Sequence, residues 1–169
     1  MRIGLISDTH GFLDEAIFSY FAETDEIWHA GDFGSLEVLQ RLRDFKLLRG
    51  VYGNIDGPDV RAETASEIEW ECEGLRVYMT HAGGYPGHYD ARAKKELAKR
   101  RPDLFICGHS HILRVVRDPT LGLLCMNPGA CGRQGWHTKR TLLRFIIDSG
   151  KISDLVAIEL GPRVGPRST

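Results

Sequence analysis

A chain of 169 residues with 42% hydrophobic and 27% charged positions has the composition of an ordinary globular protein, and a chain that long buries roughly 70% of its unfolded surface in a core of its own. Its net charge of −1 excludes a polyanion-binding surface or an acidic tail as the source of function, so any attraction to phosphate must be local. The opening MRIGLISDTH reaches an Asp after a handful of apolar residues, which suits neither a signal peptide nor a membrane span of about 20 apolar residues; the expected location is cytoplasmic.

Taken in chain order, Arg2 to Ser7 is a short Ile/Leu-rich run that ends in polar residues, as a buried strand does. Leu13, Ala16, Ile17, Tyr20 and Phe21 then recur at helical spacing. A second strand, Glu26 to Ala30, a helix through Leu36, Leu39 and Leu42, and a third strand, Lys46 to Val51, complete a parallel α/β half. Past Gly57-Pro58 the pattern changes to an antiparallel pair, Ala65 to Cys72 and Leu75 to Thr80, turning at Glu73-Gly74. A helix from Tyr89 to Arg100 leads to the strand Leu104 to Cys107. Hairpins of His111–Arg117 with Leu121–Met126 and of Thr141–Asp148 with Lys151–Ile158 follow. One domain is expected over residues 1–160, with the polar, Pro/Gly-rich residues 161–169 as a flexible tail. The cysteines Cys72, Cys107, Cys125 and Cys131 include no C-x-x-C pair and read as reduced, buried thiols.

The oxygen and imidazole side chains lie just after these strands. Asp8 and His10 follow the first, Asp32 the second, Asn54 and Asp56 the third, His81 the hairpin strand, and His109 and His111 the strand ending at Cys107. In an open α/β sheet the loops beyond the carboxyl ends of the strands converge on one crevice. Glycines stand directly before Asp32, Asn54 and His109, where a positive φ or a close approach to an ion would exclude a Cβ. Asp8 and His10, like His109 and His111, are two residues apart, so in an extended loop both members of each pair point the same way. A carboxylate with two spare oxygens suits a bridging position, and Asp32 is the candidate. The two pairs can grip one metal or two adjacent ones, and mixed imidazole and carboxylate ligation suits divalent transition-metal ions, Mn, Fe, Ni, Co or Zn, better than Ca or Mg. Two such ions against two carboxylates leave a positive site for a phosphate ester, and coordination lowers a water's pKa from 15.7 to about 7.

The set Asp8-x-His10, Gly31-Asp32, Gly53-Asn54-x-Asp56, His81 and Gly108-His109-Ser110-His111, with Asn127-Pro128-Gly129, resembles the calcineurin-like metallophosphoesterase superfamily, nearest its small bacterial and archaeal phosphodiesterase branch. The resemblance runs from Arg2 to about Ile158. It implies a four-layer α/β/β/α sandwich of two packed mixed β-sheets flanked by helices. It also implies one metal on Asp8, His10, Asp32 and His111 and another on Asp32, Asn54, His81 and His109. The implied reaction is attack of a metal-bridging hydroxide on a phosphodiester, with His109 and Asn54 close to the phosphate oxygens; Mn, Fe or Ni are the metals it favours.

Two departures bear on catalysis. Relatives that carry a His directly after the motif Asn place a proton donor there, whereas this chain has Ile55. Ala82 follows His81 where small relatives often read His-Gly-His, although His88 could swing in. A positioned acid is typically worth 10² to 10⁴ in rate, so its loss favours aryl diesters, and Asp56 is the nearest substitute. His29 is expected to orient a ligand from within its strand, while His88 and His137 read as surface or loop residues. The segment Asn127 to Arg133 reads first as a sharp turn and second as a place where Arg133 meets phosphate. The basic run from Arg92 to Arg101 reads as a solvated helix face, so a small phosphate ester is the expected partner, not nucleic acid or a membrane; a homo-oligomer fits small sandwiches of this kind. The competing readings are a phosphomonoesterase or nucleotidase on the same site, and a non-catalytic binding scaffold such as the superfamily's retromer subunit.

Overall fold

The computed structural model describes residues 1–164. Its strands and helices run β1 (Arg2–Ile6), α1 (Ala16–Tyr20), β2 (Glu26–His29), α2 (Leu36–Phe45), β3 (Leu47–Gly50), α3 (Pro58–Glu63), β4 (Glu67–Cys72), β5 (Leu75–Thr80), β6 (Gly84–Tyr85), β7 (His88–Tyr89), α4 (Ala91–Arg100), β8 (Leu104–Ile106), β9 (Leu113–Asp118), β10 (Leu123–Pro128), β11 (Lys139–Asp148) and β12 (Lys151–Pro162).

Two five-stranded sheets form, in the orders β12-β11-β1-β2-β3 and β4-β5-β8-β10-β9. Each is mixed. In the first, β1, β2 and β3 are parallel and β11 is antiparallel to β1. In the second, β5, β8 and β10 are parallel and the edges β4 and β9 are antiparallel. The alternation along the strands decides the layers. Ile3, Leu5, Trp28, Leu143 and Phe145 of one sheet meet Val77, Met79, Leu104, Ile106 and Met126 of the other in a shared core. The opposite faces take Ile17, Val38, Leu39 and Leu42 from α1 and α2 on one side, and Ala93 and Leu97 from α4 on the other. The result is the expected four-layer α/β/β/α sandwich. Trp28 is fully buried at its centre, edge-on to Trp70 and Phe145, and its indole N–H donates to Glu26, itself held by Arg49.

Several bounds differ from the sequence reading. The first helix is only Ala16–Tyr20 because residues 8–12 are committed to a loop and Asp14 turns the chain, accepting from the Ala16 amide. Between Gly57 and the antiparallel pair, where no element was expected, a short helix forms: Pro58 stands in its first turn and Val60 is buried. Tyr89 belongs to a two-strand hairpin with Tyr85 and His88, and α4 begins only after Asp90 caps it by accepting from Arg92 and Ala93 amides. β12 continues to Pro162, past the expected end of the domain, because its pairing with β11 extends to Lys139↔Pro162. Residues 165–169 of the expected tail lie outside the described residues. Among the described residues, no helix is long and apolar enough to cross a membrane.

Candidate metal centre

The carboxyl ends of β1, β2, β3, β5 and β8 lie side by side through these parallel registers, and each is followed by polar residues of the set. Five of those residues adopt positive φ: Asp8 at 56°, His10 at 49°, Asp32 at 58°, His109 at 66° and His111 at 57°. The paired residues therefore reach the site through left-handed turns and not through the extended loops expected from their spacing. Asp and His tolerate this region better than most residues, yet each such position is strained, and strain of this kind collects at functional sites. Of the three preceding glycines, only Gly31 takes positive φ. A Cβ on Gly53 would overlap the Asp32 carboxylate, and one on Gly108 would overlap Ser7 and crowd Asp8. At those two positions glycine is required by close approach.

Asp8 and Asp32 are buried, at 0% and 2% exposure. His111 Nε2 lies 3.2 Å from Asp8 Oδ1 and 3.3 Å from His10 Nε2. Asp32 Oδ2 stands between two groups, 3.6 Å from His10 Nε2 and 3.2 Å from His81 Nε2. Asn54 Oδ1 is 3.1 Å from the same His81 nitrogen. His81 Nδ1 faces the Ala30 carbonyl at 2.8 Å and must carry a proton there, which turns Nε2 toward Asp32 and Asn54. Two clusters result, Asp8-His10-His111 and Asp8-Asp32-His81, each with its ligand atoms within 4.8 Å of one another. His109 is exposed; its imidazole stands edge-on to His81 at 5.2 Å and its amide donates to Asp8 Oδ2.

The chemistry of this donor set fits a cation. Asp8 Oδ1 is fully buried and accepts no hydrogen bond among the described residues, although two imidazole nitrogens face it. A buried carboxylate oxygen left unpaired costs several kcal/mol unless a positive charge meets it. The imidazoles of the two sides are shifted in opposite directions. Burial pushes the pKa of His10 down, and the Asp32 and Asp8 charges only partly oppose that. Burial works the same way on His81, but the Asp32 hydrogen bond and the Asp8 and Asp32 charges outweigh it and raise its pKa. Asp32 shows the converse: burial raises its pKa, and the His81 hydrogen bond and charge outweigh it, holding it below the usual carboxylate range.

Residues around the set explain its rigidity. His29 is fully buried, stacked on Phe33 at 3.7 Å; its Nδ1 accepts from the Gly31 amide and its Nε2 lies 3.0 Å from Thr9 Oγ1. Thr9 in turn donates to the carbonyls of Asp32 and Phe33. His29 thus joins the loops after β1 and β2 as a hydrogen-bonded core histidine, and burial lowers its pKa to about 3. Asn127 donates to Gly108 O and Ser110 Oγ, steadying the loop after β8.

Asp56 requires a correction. Its carboxylate is buried and accepts three backbone amides, from Phe33 at 3.2 Å, Gly34 at 2.7 Å and Gly53 at 2.8 Å. It clamps the loops after β2 and β3 together, and both oxygens already receive donors, so it is not a substitute general acid. Arg133 is exposed, with its guanidinium over the Phe12 ring at 4.0 Å. His137 lies in the loop between β10 and β11, as read, and its ring meets His111 at 3.2 Å between Nδ1 atoms. His88 is exposed in its hairpin, 4.9 Å from Tyr85. Two residues of the basic helix face are paired: Arg92 bonds Glu67, and Arg100 bonds Glu67, Glu69 and Glu96. A cavity of about 360 Å³ opens beside Asn54, His81 and His109, with Tyr52, Arg61 and Arg92 on its walls.

Residues 1–150 match the calcineurin-like phosphoesterase superfamily domain, and the chain belongs to that superfamily. Its class of activity is metal-dependent phosphoester hydrolysis. A "Probable metallophosphoesterase" from Methanothermobacter thermautotrophicus is 32% identical over 137 residues, covering 77% of each chain. Among solved structures, a novel archaeal phosphodiesterase superposes with a TM-score of 0.74 at 25% identity, covering 95% of this chain and 100% of that one. Vps29 from Entamoeba histolytica, solved with Zn²⁺, gives a TM-score of 0.74 at 14% identity over 95% of this chain and 99% of its own, a likeness of fold alone.

Proposed function

We propose that this protein is a dinuclear metallophosphodiesterase. The observation that carries the reading is the position of Asp32 Oδ2 between His10 and His81, beside an unpaired, buried Asp8 oxygen. Asp8, His10, Asp32 and His111 would hold one ion, and Asp32, Asn54, His81 and His109 the other; Mn²⁺ suits this ligand mixture, with Fe, Ni²⁺, Zn²⁺ or Co²⁺ as alternatives. When bound, such ions supply Lewis acidity toward a phosphoryl oxygen and lower the pKa of a water at neutral pH.

The chain's own residues supply the rest. Asp8 and Asp32 provide the negative charge that retains cations, and the left-handed loops hold the imidazoles in place before a substrate arrives. Asn54 and His109, both exposed, face the cavity and are placed to bind phosphate oxygens. Ile55 is exposed where a proton donor would stand, and Asp56 is engaged with backbone amides. The leaving group must therefore depart with little protonation, which favours an aryl diester. The four buried free thiols support a reducing, cytoplasmic setting.

The test is hydrolysis of an aryl phosphodiester and its matching monoester by metal-stripped protein, with Mn²⁺, Ni²⁺, Zn²⁺ or Mg²⁺ restored and Asp32→Asn as control. Metal-dependent diester cleavage that disappears in the control is expected. Faster monoester cleavage would establish the phosphomonoesterase reading, and metal binding without turnover would favour a binding scaffold.

A further inference from the structure

We infer that His137, on the loop between β10 and β11, is a positioning residue that fixes the tautomer and orientation of His111 and thereby tunes one side of the metal centre. The inference rests on the dinuclear reading above.

The hydrogen bonds assign the protons. His137 Nε2 lies 3.1 Å from the carbonyl of Gly132, a group that only accepts, so Nε2 carries the proton. In the neutral ring, His137 Nδ1 is then an acceptor. It faces His111 Nδ1 at 3.2 Å, with the rings edge-on at 68°. One of those two nitrogens must donate, and His111 Nδ1 is the one left to do so. His111 Nε2 therefore keeps its lone pair, aimed at the space it shares with Asp8 Oδ1 and His10 Nε2. The two links from the Gly132 carbonyl through His137 to His111 have a defined direction, and they leave two electron-pair donors, His111 Nε2 and Asp8 Oδ1, facing each other at 3.2 Å with no proton between them, an arrangement that a cation would satisfy.

The loop that carries His137 is built against the site. The Cys131 and Gly132 amides donate to the carbonyls of Ser7 and Asp8, which ties the loop to the strand end bearing the first ligands. Gly135 has φ +113°, and a Cβ there would overlap the His111 ring and crowd His137. From beyond β12, Arg163 donates to the carbonyls of His137 and Arg133. His81 is oriented on the other side by the backbone carbonyl of Ala30, so a side chain performs for His111 what the main chain performs for His81. Partners that orient a metal-binding imidazole typically account for 10- to 100-fold in metal affinity.

Mn²⁺ titration against a fluorescent chelator should show two sites in the wild type. In His137→Leu one of them should weaken 10- to 100-fold while the other is unchanged. His137→Asn, whose amide oxygen restores an acceptor near the Nδ1 position, should recover most of that loss. The visible spectrum of bound Co²⁺ should shift in His137→Leu and return toward wild type in His137→Asn. Two sites unchanged in His137→Leu, or no recovery in His137→Asn, would overturn the inference. If His137→Leu does not fold, imidazole ¹H–¹⁵N correlation spectra of the metal-free wild type decide: protons on His111 Nδ1 and His137 Nε2 are expected, and the reverse pattern overturns it. A wild type that binds no metal would sink the dinuclear reading, and the tautomer measurement would still stand by itself.

Discussion

The two sides of the metal centre are built differently. The Asp8-His10-His111 side is enclosed: its carboxylate is fully buried, its imidazoles are packed edge-on at 5.2 Å, and a loop with its own histidine braces it from behind. The His81-Asn54-His109 side opens onto a cavity, and two of its three residues are exposed. On the proposed dinuclear reading, the enclosed side would hold its ion and the open side would leave a substrate room to arrive. Asp32, clasped by the Ile55 amide on Oδ1 and facing both sides with Oδ2, is the hinge between them.

Removing that shared carboxylate should have the largest effect. Asp32→Asn should weaken metal on both sides and reduce turnover by on the order of 10³-fold, as steady-state rates at saturating metal will show. A loss confined to one side would mean that Asp32 does not link them. Asp56→Ala comes next, because three backbone amides, two of them buried, lose their acceptor; a loss of roughly 3 kcal/mol in denaturant unfolding is expected, with the open side weakened more than the enclosed one. Asp56→Asn, which keeps an acceptor oxygen, should lose less.

Acid tests the frame that joins the loops after β1 and β2. His29 has a pKa lowered to about 3 by burial, against about 6.5 in an unfolded chain. Below pH 6.5 the unfolded state takes up a proton that the folded state refuses, so stability is lost as pH falls through this window and is fully present above it. The slope is about 1.4 kcal/mol per pH unit at most. Melting of the metal-free protein from pH 7 to pH 4 should show this, and His29→Gln should flatten it. The smallest effect belongs to His109→Gly: its φ of 66° suits glycine, so unfolding free energy should change by less than about 1 kcal/mol while turnover falls. A large loss of stability would show that the His109 ring helps to hold the open side together.

Much of this architecture is legible in the sequence because strands that end in Asp, Asn or His at a sheet's carboxyl edge have one place to converge. The parallel half follows from that rule, and the antiparallel pairs from short apolar runs around turn residues; the division of the polar residues between two metals is only what the family resemblance implies. Roles set by contacts between distant segments do not. Asp56 reads as a turn residue beside Gly57-Pro58, and nothing local reveals that it accepts amides from Phe33 and Gly34, more than twenty residues away. His137 sits among Gly135, Trp136 and Thr138 with no spacing relation to another ligand; only the strapping of its loop to Ser7 and Asp8 brings it to His111. Its one local sign is Gly135, whose positive φ lets the backbone pass against both rings. α3 was hidden for a different reason: Gly-Pro marks both turns and helix starts, and six residues offer too short a period to tell them apart.

The most direct test of the dinuclear claim is turnover of an aryl phosphodiester measured against Mn²⁺ bound per chain, starting from metal-stripped protein. Little activity is expected up to one equivalent, as the enclosed side fills, followed by a rise that saturates at two. Full activity at one equivalent, or turnover in the absence of metal, would contradict it.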